Sequence, residues 1–303
     1  MRYYCYFPGC SSSEGTAVAY GLSTQAIASA LDMGLIELED WNCCGSTPYS
    51  LTNELESVSV ATRNLALAEK TGLDLVTPCS SCYTTLNRAN SYLRQYPELK
   101  GKVDEILASV GLDYRGGVRV RHLFEVIFND IGLKFIKSKV VNRLGGLRVA
   151  AYYGCQLVRP EPGFDNPHNP QSLDRLIASL GAEPVPFPLK DHCCGGSLII
   201  PELDLALGLI HQLLESAASN GAQCIVTVCP LCQTNLDAYQ DMVNSRFRTR
   251  YNLPVLFFTQ LLGVALGIEP KDLALDKGII STEMSLAPFI MVAKPTTETS
   301  RRV

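Results

Sequence analysis

Ten of the twelve cysteines in this 303-residue chain fall into two sets with one layout: a lone cysteine, an adjacent pair followed by glycine, then a C-x-x-C. The first set is Cys10, Cys43-Cys44-Gly45 and Cys79-Ser80-Ser81-Cys82; the second is Cys155, Cys193-Cys194-Gly195 and Cys229-Pro230-Leu231-Cys232. Thirty-four residues (45–78 and 195–228) separate the pair from the C-x-x-C in both sets. Thiolates are soft donors that select zinc or iron–sulfur over hard cations. Structural zinc takes four ligands in a tetrahedron, and each set offers five. The bacterial C-x2-C-x2-C-x3-C-P ferredoxin run and the plant-type C-x4-C-x2-C spacing are both absent. Five thiolates, two of them adjacent, therefore suit a larger or more open iron–sulfur cluster than a simple cubane. The glycines after each pair let the main chain turn tightly beside an inorganic core.

The elements that must position these cysteines are themselves duplicated. Val76-Thr-Pro-Cys-Ser-Ser-Cys-Tyr-Thr-Thr-Leu86 recurs as Val226-Thr-Val-Cys-Pro-Leu-Cys-Gln-Thr-Asn-Leu236, an offset of 150 residues. Two apolar runs, Tyr3–Phe7 and Arg148–Tyr153, each lead to a Gly-Cys and read as short buried strands. Thr16–Leu31 and Ser172–Leu180 read as helices, Leu35–Glu39 and Pro184–Phe187 as extended segments before the Cys-Cys-Gly turns, and Glu54–Lys70 and Leu203–Ala218 as amphipathic helices. Leu73–Thr77 and Cys224–Val228 are apolar strands leading into the C-x-x-C, while His122–Phe128 and Thr259–Ala265 read as equivalent late helices. This β-α-β-α order predicts an α/β fold of two tandem duplicated units, each with a small parallel sheet. The expected domains are 1–145 and 146–303, meeting near Asn142–Gly146, with a tail outside the repeat from about residue 271. Each motif cysteine then lies at the end of a strand or in the turn after it, on the carboxyl edge where open α/β sheets bind ligands. The two edges are expected to face each other across a pseudo-twofold axis.

Composition narrows the class. The chain is 47% hydrophobic and 18% charged with a net charge of −4, and no Lys/Arg stripe marks a nucleic-acid partner. The opening MRYYCYFPGC lacks the apolar core of a signal peptide. That predicts a cytoplasmic protein, where disulfide staples are disfavoured and cysteine clusters read as metal-binding or redox-active. The most apolar stretch, Val255–Ile268, is too short to span a bilayer and reads as a buried helix.

The layout C-x32-CC-x34-C-x-x-C and C-x37-CC-x34-C-x-x-C, each pair followed by Gly, resembles the cysteine-rich CCG-domain family, and the two-copy form is similar to the B subunit of heterodisulfide reductase. The resemblance runs from about Cys10 to Gly267. It implies a non-cubane 4Fe-4S cluster on Cys10, Cys43, Cys44, Cys79 and Cys82, and a second on Cys155, Cys193, Cys194, Cys229 and Cys232, with zinc at one site as the alternative. It implies an oxidoreductase acting on sulfur groups, in which a disulfide is held between the clusters and each passes one electron to one sulfur. Disulfide reduction takes two electrons, so two sites have a chemical reason. The chain has no flavin or nucleotide fingerprint. As electron donors the resemblance implies a ferredoxin-like iron–sulfur subunit, with a flavin-containing subunit upstream of it. The substrate is then a small thiol/disulfide or a protein-bound sulfur. The alternative role is a subunit of a bacterial sulfur-oxidising or electron-relay complex that uses the same clusters without turning over a free disulfide.

Outside the pattern, His192 beside Cys193 is the candidate proton donor to a departing thiolate, and hydrogen bonding beside the cluster is its other reading. Cys5 and Cys224 read as small buried hydrophobes. His168 falls in a turn-rich loop, and His122 and His211 read as structural helix residues. Tyr49, Tyr83 and Tyr153 lie near ligands in sequence, Trp41 is expected to shield the first set from water, and Arg88, Arg94 and Arg159 are the cations available to an anionic substrate.

Overall fold

The computed structural model describes residues 1–46, 53–159 and 163–290. The first half runs β1 (Arg2–Tyr6), α1 (Cys10–Ser13), α2 (Val18–Ala30), β2 (Met33–Glu37), α3 (Glu54–Glu69), β3 (Leu75–Thr77), α4 (Ser80–Gln95), α5 (Pro97–Ser109), β4 (Val120–His122) and α6 (Leu123–Val126). A π-helical turn, Ile127–Gly132, then leads into α7 (Leu133–Lys139). The second half repeats the order with β5 (Arg148–Tyr152), α8 (Gly154–Val158), α9 (Ser172–Ser179), β6 (Glu183–Pro184), α10 (Leu203–Ser219), β7 (Cys224–Thr227), α11 (Pro230–Ala238), α12 (Gln240–Phe247), β8 (Val255–Phe257) and α13 (Phe258–Ala265).

The strand orders are β2-β1-β3-β4 and β6-β5-β7-β8, and every pairing is parallel. The chain leaves β1 toward one edge and returns past it to β3, so the connections switch faces between β1 and β3, and likewise between β5 and β7. Such switch points open a crevice at the carboxyl ends of the strands. The loops after β1 and β3 carry Cys10 and Cys79–Cys82, and those after β5 and β7 carry Cys155 and Cys229–Cys232.

Strand pleat sorts side chains between two layers. On β5, Ala150 and Tyr152 face the outer helices, while Val149, Ala151 and Tyr153 enter the core that both halves share. That common core joins Tyr20 and Ile27 of α2 to Phe258, Leu261 and Leu262 of α13. Polar contacts fix the packing: Ser23 Oγ lies 2.7 Å from Thr259 Oγ1, and Thr16 Oγ1 lies 3.1 Å from Thr234 Oγ1. Thr84 Oγ1 donates to Gln156 O at 2.9 Å. The helix after each C-x-x-C thus touches the segment after the lone cysteine of the other half.

Two local expectations change. Val255–Ile268 is not one helix: Val255, Leu256 and Phe257 pair with Ile225, Val226 and Thr227 as β8, and only then does α13 begin. The polar residues of that run explain the break, because Gln260 Oε1 accepts from Phe257 N at 3.0 Å and caps the helix start. His122 ends β4 rather than starting a helix; its Nδ1 accepts from Phe124 N at 3.1 Å and caps α6. The segment around Asn142 is held down, with the Val141 and Asn142 amides both 2.9 Å from Ala265 O. The tail packs back up to the limit of the described residues: Asp237 accepts from the Ile279 and Ile280 amides, and Leu286 is buried.

Candidate metal centres

In the first half, the Phe7-Pro8-Gly9 turn delivers Cys10 to the start of α1, with Gly9 at φ 72°. A Cβ at Gly9 would sit 3.0 Å from Cys82 Sγ, closer than a side chain tolerates beside a ligand sulfur. The residue before Cys43 is pinned to α3, since Asn42 N donates to Asn64 Oδ1 and Asn64 Nδ2 donates to Asn42 O, both at 2.9 Å. Cys79 caps α4 and Cys82 lies in its first turn, where the helix dipole favours anionic sulfur. The five thiols touch in an unbroken series: Cys10 with Cys43, Cys43 with Cys44, Cys44 with Cys82, and Cys82 with Cys79.

The second half rebuilds this arrangement with different supports. Gly154, at φ 66°, would likewise bring a Cβ within 3.0 Å of Cys232 Sγ. Here the residue before the cysteine pair is pinned from β5, because Tyr152 OH donates to His192 O at 2.8 Å. Asn235 Nδ2 on α11 holds Cys194 O at 3.1 Å. Cys155 touches Cys193, and Cys232 touches both Cys194 and Cys229. In each half the amide two residues on approaches the first sulfur of the pair: Gly45 N to Cys43 Sγ at 3.5 Å, and Gly195 N to Cys193 Sγ at 3.3 Å.

The donor chemistry fits a polynuclear thiolate-bound centre. In each set three cysteines are buried (Cys44, Cys79, Cys82; Cys194, Cys229, Cys232), while the lone cysteine and the first of the pair reach solvent at least in part. Buried thiolates are stable only with a strong cationic partner, and in each set the buried sulfurs interact with one another. Among the described residues no three His, Cys, Asp or Glu side chains converge as the ligands of a single ion.

The sulfurs are electrostatically unequal. The Cys155 hydrogen bond holds the Cys193 thiol down to about 6, helped by the Gly195 amide and the Arg159 charge. Cys155 is pushed up by the same contact and by burial. Cys10 is raised by its contact with Cys43 and by burial. Cys229 is held down to about 7 by its contact with Cys232, then by the Cys232 and Leu231 amides and the Ser80 hydroxyl. A lowered thiol is thiolate above its pKa and loses that form as pH falls through it. In metal-free protein, lowering the pH from 7 to 5.5 should slow alkylation of Cys193 about fourfold, against about thirtyfold for an ordinary thiol. Site-resolved mass spectrometry after iodoacetamide pulses measures this; a thirtyfold fall at Cys193 would refute the assignment.

His192 is 58% exposed at its side chain, with Nδ1 3.1 Å from Asp191 Oδ1. Arg159 donates to Asp191 O at 3.5 Å beside Cys193, so this cation does reach a thiol set. Arg94 instead lines a polar cavity of about 510 Å³ with Tyr83, Asn87 and Arg119, and Arg88 lines one of about 120 Å³ with Tyr92; no motif cysteine lines either. Trp41 packs edge-on against Phe7 at 5.4 Å beside the first set. Cys5 and Cys224 are buried in strands, and desolvation pushes Cys224 up to about 12. His168 lies in an exposed turn, its amide on Asn166 Oδ1. His211 stacks on Phe247 at 4.2 Å. Tyr49 lies outside the described residues.

Tyr153 points away from the sulfurs, its hydroxyl donating to Asp174 at 2.6 Å. The residue that meets the second set is Tyr152, one position earlier, whose hydroxyl is raised by burial and by the charges of Cys232, Cys194, Cys155 and Cys193. Sequence reading also passed over Tyr20, buried and within electrostatic reach of both Cys229 and Cys79. Pleat parity on a strand ending at Tyr152 was the available signal for the first; the second had none.

The cysteine-rich domain family matches this chain twice, at residues 4–87 and 149–237. The chain is 37% identical over 282 residues to the 8-methylmenaquinol:fumarate reductase membrane anchor subunit of Wolinella succinogenes, covering 92% of this chain and 98% of that protein. It is 32% identical over 276 residues to the B subunit of the ferredoxin/F(420)H(2)-dependent CoB-CoM heterodisulfide reductase of Methanosarcina acetivorans, covering 89% and 92%. A crystal structure of a hypothetical protein from Helicobacter pylori shares the fold with a TM-score of 0.74 at 16% identity, over 92% of this chain and 52% of that one.

Proposed function

Because this chain belongs to the cysteine-rich domain family, with the domain present twice, we propose that it is the iron–sulfur subunit of a heterodisulfide-reductase-type oxidoreductase complex. The observation that carries this reading is the gathering of five thiols on the carboxyl edge of each sheet, with the two C-x-x-C loops meeting across the shared core. In this reading Cys10, Cys43, Cys44, Cys79 and Cys82 hold one non-cubane 4Fe-4S cluster, and Cys155, Cys193, Cys194, Cys229 and Cys232 hold the other. Bound clusters would supply single electrons and sulfur-binding iron at each edge. The protein's own residues do the rest. The half-exposed lone and first-pair cysteines leave each site open on one side. Trp41, Phe7 and Tyr152 keep water from the buried sulfurs. Arg159 adds positive charge at the second opening, and His192, held by Asp191, is the candidate proton donor to a departing thiolate. Electrons would come from a ferredoxin-like iron–sulfur subunit, with a flavin-containing subunit upstream of it.

A second reading is favoured by the relative named as a subunit of a quinol:fumarate reductase. There the same centres would relay electrons inside a larger complex without turning over a disulfide. No helix among the described residues is long and apolar enough to cross a membrane, so in that reading attachment to a membrane would run through the folded surface or through another protein of the complex. Anaerobic assay with reduced viologen dye and a panel of thiol disulfides separates the two. The disulfide reading expects turnover of at least one of them by the isolated, iron-replete chain. Dye oxidation that never depends on any disulfide would favour the relay.

A further inference from the structure

The helix after each C-x-x-C and the last strand of its sheet enclose a groove, and the two halves treat that groove differently. The copies match closely here. Leu75 pairs with Val120 as Ile225 pairs with Val255. Asn90 Nδ2 donates to Val118 O at 3.1 Å, as Gln240 Nε2 donates to Leu253 O at 2.7 Å. At the offset of 150 residues, Asn87 stands where Asp237 stands, and Arg94 where Asn244 stands.

In the second half the chain's own tail covers this place. The Ile279 and Ile280 amides donate to Asp237 at 2.7 and 3.2 Å, so a carboxylate there meets main-chain donors. In the first half a cavity of about 510 Å³ lies open between α4, the segment entering β4, and Phe164 of the second half. That size suits a small molecule. Phe164 is held edge-on against Phe124 at 5.5 Å and, with Val118 and Val120, gives the cavity an apolar side.

The polar lining offers donors and few free acceptors. Asn90 Oδ1 already accepts from Tyr114 OH. Glu125 is the one carboxylate among the described lining residues, and Arg121 Nε binds it at 2.9 Å and Arg119 Nη2 at 3.5 Å. Arg94 pairs with no carboxylate among the described residues, and Arg119 has only that long contact. An occupant of the second groove must donate; an occupant of the first must accept, and a negative charge strengthens each bond it takes.

We infer that this cavity is a binding site for a small organic anion, its carboxylate or phosphate held by Arg94 and Arg119 and its apolar body laid against Phe164. Guanidinium groups serve both head groups, because each presents paired donors to two oxygens. No motif cysteine lines the cavity, but Tyr83 does, and it directly follows Cys82. The ligand therefore sits one residue away from the first thiol set. The site goes beyond the proposed redox role and needs neither a bound cluster nor a disulfide.

Isothermal titration calorimetry of full-length protein, purified without oxygen and held in low-salt buffer, tests this with phenyl phosphate and benzoate. One saturable site per chain is expected for at least one of them, and the tighter of the two identifies the head group. The matching anion without a ring, inorganic phosphate or acetate, should bind more weakly. Arg94 is exposed, so Arg94→Gln should fold normally. It should weaken binding at least about tenfold, the loss of one charge-assisted contact. Arg88→Gln, on the same helix but lining the other cavity, should leave binding unchanged. Saturation by neither ring-bearing probe up to about 10 mM overturns the inference. Wild-type affinity in Arg94→Gln, or equal weakening in Arg88→Gln, overturns it as well.

Discussion

Cys194→Ala is expected to take the iron content of the chain from about eight to about four and to abolish disulfide turnover. Cys194 is buried between Cys232 and the α11 contact from Asn235 to its carbonyl. Alanine removes a sulfur without adding bulk, so the fold should survive. Cys44→Ala in the first half, where Cys44 joins Cys43 to Cys82, should do the same to the other centre. The pattern across variants matters more than either loss. If each centre gives one electron to one sulfur, either single substitution costs as much as the pair, because groups that act as a unit are not additive. Metal analysis and turnover of the two single variants and the double variant read this out. A single variant that keeps half the disulfide turnover would contradict the shared-substrate account.

The largest loss of stability is expected at Arg121, far from the thiols in function though close in sequence to His122. Arg121 on β4 is 4% exposed and binds three carboxylates: Glu125 at 2.9 Å, Asp130 through two nitrogens at 2.7 and 2.8 Å, and Asp74 at 3.4 Å. Tyr4 OH adds a further bond to Asp130 at 2.9 Å. Deleting one member of a buried ion network leaves the others desolvated and unpaired, which costs about 3–5 kcal/mol. Arg121→Met should therefore lower the melting temperature by at least about 6 °C, at roughly 2 °C per kcal/mol for a long chain. Arg121→Lys should recover only part, since an ammonium cannot grip Asp130 with two nitrogens. The Arg121 guanidinium holds the Asp130 carboxyl below its ordinary value. A depressed carboxyl contributes its stability in full above the unfolded pKa and loses it as pH falls through the folded one, so the wild-type advantage should begin to shrink below about pH 4 and vanish only in stronger acid. Equal melting temperatures at neutral pH would refute the network's role.

What the sequence revealed follows from what repeats. The strands and helices flanking each cysteine motif occur twice, and duplication exposed β1 with β5, β3 with β7, and the long α3 and α10. The three-residue strands β4 and β8 escaped, being too short to show alternation; β8 lay inside an apolar run that reads as helix. At the sites, the cysteines were legible from type and spacing alone. Tyr153 was preferred to Tyr152 because nearness in sequence ignores the pleat, which turns neighbours to opposite faces. Tyr20, Ser80 and His122 meet Val228 only across the shared core, contacts that leave no local signature. Comparing the copies would have pointed to two of them, because Ser80 and His122 are polar where Pro230 and Phe257 are not. The Arg121 network was invisible for the same reason as Tyr20: its partners at 74 and 130 are brought together by folding alone.

The central claim, two five-thiolate iron–sulfur centres in one chain, is tested most directly by measuring iron, zinc and acid-labile sulfide in wild-type protein purified without oxygen. The account predicts about eight iron and about as much sulfide per chain, with no zinc. About one or two zinc per chain with neither iron nor sulfide would contradict it.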